Sequence, residues 1–169
     1  MLEIERRFLI QQWEPMPEFS TSTIWQGYLS IHGTSSIRIR EVDENVRWLT
    51  VKSLPSPNLV LVRNEIEVEI SADQFKALQK AVLCSPIIKK RTVIPLPSGL
   101  KIEVDAFCGN LDGLVIAEVE FSSLEESAEF VPPSWFGEEV TEDSRYINSS
   151  LAQHGIPDTD CEATGKAVQ

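Results

Sequence analysis

Charged and apolar residues alternate with a period of two along most of this chain. In the segment VRNEIEVEI (62–70), for example, three glutamates alternate with Ile66, Val68 and Ile70. Residues two apart share one face of a β-strand, so each such segment predicts a strand with one charged and one apolar face. The pattern therefore predicts a mainly antiparallel β fold of the α+β class, with a few helices.

Eight segments have the composition of strands and follow one another in hairpin-like succession. They lie at residues 1–10, 25–31, 37–41, 47–52, 62–70, 87–94, 100–107 and 114–121. Ser71 and Gln74 fit a helix-capping box, which predicts a helix that ends near Cys84, before Pro86. A second capping box at residues 123–126 predicts a short helix, and residues 141–152 predict a third. Residues 153–169 are expected to form a flexible tail.

The formal net charge of −11 restricts the class of partner. It argues against a general nucleic-acid binder, which needs a basic surface, but an anionic substrate can still be bound by a local field. The cysteines and histidines give neither a zinc-site spacing nor a disulfide framework. No apolar run approaches a membrane span, and the N-terminus is charged from Glu3 onward. We expect a cytoplasmic monomer or homodimer that binds neither nucleic acid nor membranes.

The first strand, MLEIERRFLI, places two carboxylates next to each other. Glu3, Glu5 and Arg7 share one face, and Arg6 is the exception on the otherwise apolar face. Neighbouring carboxylates repel each other unless water, a cation or a basic partner neutralises them. Taken alone, this strand fits an ordinary solvated sheet face.

The same alternation recurs on six later strands, where the two signs of charge are segregated by strand. The acids are Glu3, Glu5, Glu65, Glu67, Glu69, Glu103, Asp105, Glu118 and Glu120, and the bases are Arg7, Arg38, Arg40, Lys52, Lys89, Arg91 and Lys101. A closed sheet would gather these faces in one lumen, with helices covering the apolar outside. Such a lumen suits Mg²⁺ or Mn²⁺ on the carboxylates and phosphate oxygens on the bases. The alternative is a twisted open sheet with cross-strand salt bridges.

Nine segments, in order, resemble the CYTH or triphosphate tunnel metalloenzyme family. They are EIERR (3–7), which resembles the ExExK motif, QGYL (26–29), IRIR (37–40), LTVKS (49–53), RNEIEVEI (63–70), IIKKR (87–91), KIEVDAF (101–107), GLVIAEVEF (113–121) and WFGEEVTEDSRYIN (135–148). The resemblance covers roughly residues 1–152 and rests on the order of the segments rather than on any single one.

The resemblance implies a closed eight-stranded antiparallel β-barrel tunnel with flanking helices over residues 1–152, followed by the tail at 153–169. It implies hydrolysis of a triphosphate with Mg²⁺ or Mn²⁺ as cofactor. Inorganic tripolyphosphate is the leading substrate, because the WFGEEVTEDSRY segment is similar to the short bacterial inorganic triphosphatases. Thiamine or nucleoside triphosphate hydrolysis and the cyclisation of ATP remain as alternatives, since other members of the family catalyse them.

The resemblance also implies a set of site residues. The metal ligands would be Glu3, Glu5, Glu118 and Glu120, with Asp105 in or next to that shell and Glu65 and Glu67 holding a second metal or ordering basic neighbours. The substrate would be bound by Arg7, Arg38, Arg40, Lys52, Lys89, Arg91, Tyr28 and Arg145, with Tyr28 lining the tunnel. Catalysis would involve Glu3, Glu5, Arg7, Glu118 and Glu120. Arg145 would belong to a closing C-terminal helix or form a structural salt bridge.

Two positions depart from the family pattern. Arg7 stands where the motif has lysine, and Thr92, which stands where a tyrosine is expected, should alter the tunnel lining. Because an arginine effectively cannot lose its proton, Arg7 can bind phosphate but cannot act as a base. Phosphoryl transfer depends mainly on positioning and charge neutralisation, which favours a binding role. If the position must titrate, the alternative is a non-catalytic protein that binds polyphosphate or nucleotides.

Overall fold

The computed structural model describes residues 2–33, 35–53 and 62–158, without the side chains of residues 2, 3 and 62–64. The strands are β1 Leu2–Leu9, β2 Thr21–His32, β3 Ser35–Val42, β4 Val46–Ser53, β5 Val62–Glu69, β6 Ile87–Pro95, β7 Lys101–Cys108 and β8 Val115–Phe121. The α-helices are α1 Ala72–Gln79, α2 Leu124–Glu129 and α3 Asn148–His154. The predicted strands are all present, although β2 begins at Thr21 rather than Trp25.

Every neighbouring pair of strands in the sheet is antiparallel, which confirms the predicted β class. The order β1-β5-β4-β3-β2-β6-β7-β8 returns to β1, as a barrel requires. The last seam is short, however, because β1 and β5 share three residue pairs, from Leu2 opposite Asn64 to Ile4 opposite Val62. The strands thus have the order of a barrel, but the sheet is open along most of this seam.

A C-terminal segment, residues 137–141, takes the place of β5 beside the rest of β1. We call it the closing segment. Leu9 donates its N–H to Glu138 O at 2.8 Å, Gly137 donates to Leu9 O at 2.8 Å, and Val140 donates to Arg7 O at 2.8 Å. Gly137 is required at its position, because a Cβ there would lie 2.7 Å from the carbonyl oxygen of Leu9. The closing segment therefore lies hydrogen-bonded beside β1 where β1 and β5 part.

The two outer helices begin at the predicted capping boxes. Ser71 Oγ accepts from Gln74 N while Gln74 Oε1 accepts from Ser71 N, as expected at the start of α1. At α2, Ser123 Oγ accepts from Glu126 N as expected, but the Glu126 carboxylate accepts from Ser122 N rather than from Ser123 N. Phe75 of α1 is buried and packs against Trp25 with ring centroids 5.4 Å apart. Helix α1 therefore packs on an apolar outer face of the sheet, and it ends at Gln79 rather than near Cys84 as predicted.

The third predicted helix differs from the structure. The prediction placed it at residues 141–152, but Ser144–Tyr146 forms a single 3₁₀ turn and α3 begins only at Asn148. The physical reason is that Thr141 is held beside β1 and that Ile147 is extended, with φ −73° and ψ 145°. Helix α3 also continues to His154, past the predicted end of the domain, and residues 159–169 of the predicted tail lie outside the described part of the chain.

The apolar residues form two clusters. One cluster lies on the outer face of β7 and β8 and includes Ile102, Val104, Val119 and Phe121. The other cluster lies on the inward side of β6, β7 and β8, next to the charged residues of these strands, and packs against Leu151 of α3. The expectation that helices cover every apolar outer face is wrong for β4 and β5. Val51, Ile66 and Val68 stay exposed, because no described element packs on that face.

The turn between β3 and β4 holds two residues in the left-handed region. Asp43 has φ 50° and Glu44 has φ 55°, and Asn45 N donates to Val42 O at 3.0 Å. Turns of this kind favour glycine, because a side chain at positive φ costs about 1 kcal/mol.

We expect Glu44→Gly to raise the free energy of unfolding by about 0.5–1 kcal/mol, since glycine removes this strain at a smaller entropic cost. Asn45→Gly is the matched control and should lower it, because the φ of Asn45 is not positive. Urea unfolding of both variants measures the effect. A loss of stability in Glu44→Gly would contradict the strain argument.

Candidate functional site

The inward faces of the strands enclose a cavity of about 530 Å³. This size is within the range of about 300–1,000 Å³ that is usual for small-ligand sites. The predicted site residues that line it are Glu5, Arg7, Tyr28, Arg38, Arg40, Lys52, Glu65, Glu67, Lys89, Arg91, Glu118 and Glu120. The alternation thus correctly predicts one shared charged interior, and the salt bridges expected of the alternative open sheet lie inside it as well.

One side of the cavity is formed by Lys89 and Arg91 of β6. Lys89 Nζ contacts Asp105 Oδ2, and Arg91 donates from Nε to Asp105 Oδ1 at 2.7 Å and from Nη2 to Oδ2 at 2.6 Å. Arg91 also contacts Glu103 and donates from Nη2 to Glu118 Oε2 at 3.0 Å. The guanidinium of Arg91 therefore joins the acids of β7 and β8.

Burial and charge act in opposite directions on this group. Burial, with the nearby positive charge of Arg91, lowers the pKa of Lys89 despite the attraction of Asp105 and Glu118. Burial alone would raise the pKa of Asp105, but the positive charges of Lys89 and Arg91 outweigh it and hold that pKa below its usual value. The carboxylate of Asp105 is thus kept ionised by its two basic neighbours.

The opposite side of the cavity consists of β3, β4 and β5. Lys52 Nζ lies 2.8 Å and Arg38 Nη2 lies 3.5 Å from the carboxylate of Glu65. Glu67 Oε1 accepts from Arg40 Nη2 at 2.8 Å and from Thr50 Oγ1 at 2.7 Å. Both glutamates therefore contact basic side chains, which is the geometry expected of residues that order those bases.

The titration of this side follows from the same contacts. Burial opposes the ionisation of Glu65, but the charges of Lys52 and Arg38 lower its pKa below the usual value. Burial and the neighbouring charge of Arg38 lower the pKa of Arg40, against the attraction of Glu67. The bases on this side are held close together, and a further anion would relieve their mutual repulsion.

The carboxylates of β1 and β8 form the acidic part of the cavity. Glu5 stands opposite Glu120 in the pairing of these strands, and Arg7 stands opposite Glu118. Glu3 belongs to β1, but its side chain is outside the described set. Among the described residues, no three acidic, histidine or cysteine side chains converge as a metal site would require. Glu118 instead points to Arg91.

Arg7 is buried between these carboxylates and the closing segment. The backbone N–H of Arg7 donates to Thr141 Oγ1, and its side-chain Nη2 donates to the backbone oxygen of Thr141, each at 3.0 Å. Its Nε lies 3.8 Å from Glu5 Oε1 and has no hydrogen-bond partner in the described structure. The Nε of Arg40 is also buried and has no hydrogen-bond partner in the described structure. Because unsatisfied buried donors are costly, both atoms indicate that a ligand completes the cavity.

Arg6 is the one charged residue on the apolar face of β1, and its contacts explain its position there. Its Nε and Nη2 donate to the two carboxylate oxygens of Glu139 at 2.8 and 2.6 Å. Its Nη1 donates to the carbonyl oxygens of Ser127 and Phe130 at the end of α2. Glu139 in turn accepts from the hydroxyl of Thr141 at 2.7 Å. Arg6 therefore ties β1 and α2 to the closing segment that also holds Arg7.

Glu69 and Lys101, which were expected to face the lumen, are exposed and do not line the cavity, and three further residues depart from the sequence interpretation. Asp105 is almost fully buried but is absent from the cavity lining, because β6 covers it with Lys89 and Arg91. The side chain of Arg145 is about half exposed (52%) and does not line the cavity as a substrate-binding residue would, and its pairing with Asp143 at 2.8 Å is the structural salt bridge of the alternative. Thr92 does not line the cavity either, because it faces Thr21 with hydroxyl oxygens 2.9 Å apart.

Gln26 and Thr141 are among the described lining residues that were not predicted as site residues. Gln26 is buried and donates from Nε2 to the hydroxyl of Tyr28 at 3.0 Å. It lies two residues before Tyr28, so the alternation that places Tyr28 inside could have found it. Thr141 lies in the closing segment and meets β1 only through pairing with a distant part of the chain, for which the sequence carries no local signal.

The fold and the cavity together define a mainly antiparallel β protein whose curved sheet, with the strand order of a barrel, has a charged interior. The model of the CYTH domain family matches residues 1–155. The chain belongs to the CYTH domain family, which confirms the resemblance.

Curated relatives extend over nearly the whole chain. It is 40% identical over 153 residues to an inorganic triphosphatase of Nitrosomonas europaea, with 90% of this chain and 97% of the relative covered. It is 33% identical over 153 residues to an inorganic triphosphatase of Acetivibrio thermocellus, covering 90% and 94% of the two chains. A crystal structure of an inorganic triphosphatase superposes with a TM-score of 0.65 at 38% identity, covering 89% of this chain and 93% of the other.

The helices of the described residues give no candidate membrane span, because none combines sufficient length with sufficient apolar content.

Proposed function

We propose that this protein hydrolyses a triphosphate with the help of a divalent metal, and that inorganic tripolyphosphate is its substrate. The observation that carries the proposal is the enclosed cavity, in which six basic side chains of the described residues face carboxylates of β1 and β8. Phosphoryl transfer needs positioning and charge neutralisation more than covalent chemistry, and such a cavity supplies both. The names of the two curated relatives support the same activity.

The lining favours an inorganic substrate over a nucleotide. Tyr28 is the one aromatic side chain among the described lining residues, and it is 3% exposed and hydrogen-bonded by Gln26. A nucleobase or a thiazolium ring is usually held by stacking on aromatic side chains, and the described lining offers Tyr28 alone for this purpose. We therefore favour tripolyphosphate over thiamine triphosphate, over nucleoside triphosphates and over ATP as a cyclase substrate.

A divalent metal would be held by Glu5, Glu118 and Glu120, together with Glu3. These residues fit a hard cation in their chemistry, since carboxylate oxygens suit Mg²⁺ or Mn²⁺, and they lie on two paired strands. Binding would require Glu118 to leave Arg91, its partner at 3.0 Å. Once bound, the metal supplies positive charge to the phosphate oxygens and lowers the pKa of a bound water.

The basic side chains would bind the phosphate groups. Lys52, Arg38 and Arg40 extend from β3 and β4, and Lys89 and Arg91 face them from β6. Arg7 would bind phosphate through its unsatisfied Nε while Thr141 holds its Nη2. We assign Arg7 to binding rather than proton transfer, because a guanidinium stays protonated.

We also propose that the closing segment, by covering the gap between β1 and β5, makes residues 1–152 a tunnel domain. This proposal is supported by the three backbone hydrogen bonds of 2.8 Å between this segment and β1. The cytoplasmic location, the monomer or homodimer, and the absence of binding to nucleic acid and membranes stay predictions.

A panel of phosphate compounds tests the reaction. We expect metal-dependent release of phosphate, with kcat/KM higher for tripolyphosphate than for ATP or thiamine triphosphate, and no cyclic AMP from ATP. Phosphate, pyrophosphate and cyclic nucleotide are measured with and without chelator. The proposal fails if no triphosphate is hydrolysed with Mg²⁺ or Mn²⁺, and tight binding without turnover would favour the non-catalytic alternative.

The metal assignment predicts that Glu118→Gln weakens Mn²⁺ binding by about tenfold or more, because one anionic ligand is lost. Titration of Mn²⁺ by electron paramagnetic resonance in the absence of substrate measures the affinity. Glu41→Gln is the matched control, since Glu41 pairs with Arg47 away from the cavity lining. Equal Mn²⁺ affinity in both variants would refute the assignment.

The binding role of Arg7 predicts that Arg7→Lys keeps kcat/KM within roughly tenfold, which is about 1.4 kcal/mol in the barrier. The positive charge is retained in this variant, whereas Arg7→Gln removes it and should lose more activity. Steady-state kinetics with tripolyphosphate compare the two. A gain far beyond tenfold in Arg7→Lys would indicate that the position must titrate.

A further inference from the structure

Asp105 sits behind the cavity rather than in its lining. Its side chain is 1% exposed, whereas those of Glu5 and Glu118 are 12% and 18% exposed and line the cavity. Asp105 belongs to β7 and stands directly opposite Arg91 of β6. The pairing of these strands therefore fixes the carboxylate against the backs of the basic side chains.

Both oxygens of Asp105 are occupied by cations of this chain. Oδ1 accepts from Arg91 Nε, and Oδ2 accepts from Arg91 Nη2 and Lys89 Nζ. The bidentate contact fixes the plane of the guanidinium, as parallel N–H···O bonds do. The ammonium of Lys89 has two further N–H groups for other partners.

A metal at Asp105 would have to displace these two buried cations. Removing one partner of a buried ion pair is strongly destabilising, because the other charge stays buried and uncompensated. Glu5 and Glu118 also lie near cations of this chain, Arg7 and Arg91, but their side chains are more exposed than that of Asp105. The contacts thus separate Asp105 from the carboxylates available to a metal.

We propose that Asp105 is a positioning residue for phosphate binding, and that it acts by holding Lys89 and Arg91 rather than by ligating the metal. This inference rests on the proposed function, and it assigns Asp105 a task different from that of the four glutamates. Without Asp105, the guanidinium of Arg91 would lose the bidentate contact that fixes its plane, and the ammonium of Lys89 would lose its carboxylate partner.

Two binding measurements on Asp105→Asn, neither of which requires turnover, test this proposal. Mn²⁺ affinity is measured without substrate, and tripolyphosphate affinity is measured by calorimetry in the presence of chelator. We expect Mn²⁺ affinity within about twofold of the wild type and tripolyphosphate affinity about 10- to 100-fold weaker, since small misplacements have costs of this size. Glu118→Gln is the reference variant and should show the opposite pattern.

Steady-state kinetics add a readout that a merely structural role would not change. Asp105→Asn should raise KM for tripolyphosphate more than it lowers kcat, and its effect should not add to that of Lys89→Met, because both changes remove the same contact. Asp105→Glu, which keeps the charge, serves if Asp105→Asn does not fold, and it should likewise spare Mn²⁺ binding while weakening tripolyphosphate binding.

Two results would overturn the proposal. One is a loss of Mn²⁺ affinity as large as that of Glu118→Gln, which would make Asp105 a ligand. The other is unchanged tripolyphosphate affinity in a folded variant, which would remove its positioning role. If the wild type binds both ligands but does not hydrolyse tripolyphosphate, the proposed function fails while the test of Asp105 remains valid.

Discussion

Compensation of buried charge is the constraint on which the rest of this structure depends. An ion buried without a partner costs several kcal/mol, so the acidic and basic strands can share one interior only if they meet in matching register. The pairing does this, because Arg91 stands opposite Asp105 and Lys52 stands opposite Glu65. The order of the strands around the barrel is therefore also an arrangement of ion pairs.

The compensation is incomplete where function requires it. Arg7 and Arg40 each keep a buried Nε without a hydrogen-bond partner in the described structure, although both side chains have other polar contacts. Asp105 shows the opposite case, since both of its oxygens are engaged by basic side chains. The interior thus combines fixed pairs, which hold its walls, with donors that are left for a polyanion.

The sequence predicted well those features that follow from local periodicity. The inward position of Glu5, Arg38 and Glu118 is a matter of parity within one strand, and parity is visible in a window of a few residues. The closing segment could not be predicted in this way. Thr141 reaches Arg7 across more than a hundred residues, and its neighbourhood looks like the start of a helix in the sequence.

The sequence by itself determined the eight strands, the face that each turns inward and the family to which the chain belongs, because alternation and ordered motifs are written in consecutive residues. Only the tertiary structure decided which charges meet. It placed Asp105 behind Lys89 and Arg91, moved Arg145 outside the cavity and brought Thr141 to β1. The physical reason is that the alternation within a strand decides which face of the sheet a side chain occupies. The partner that it meets on that face depends on strand order and register.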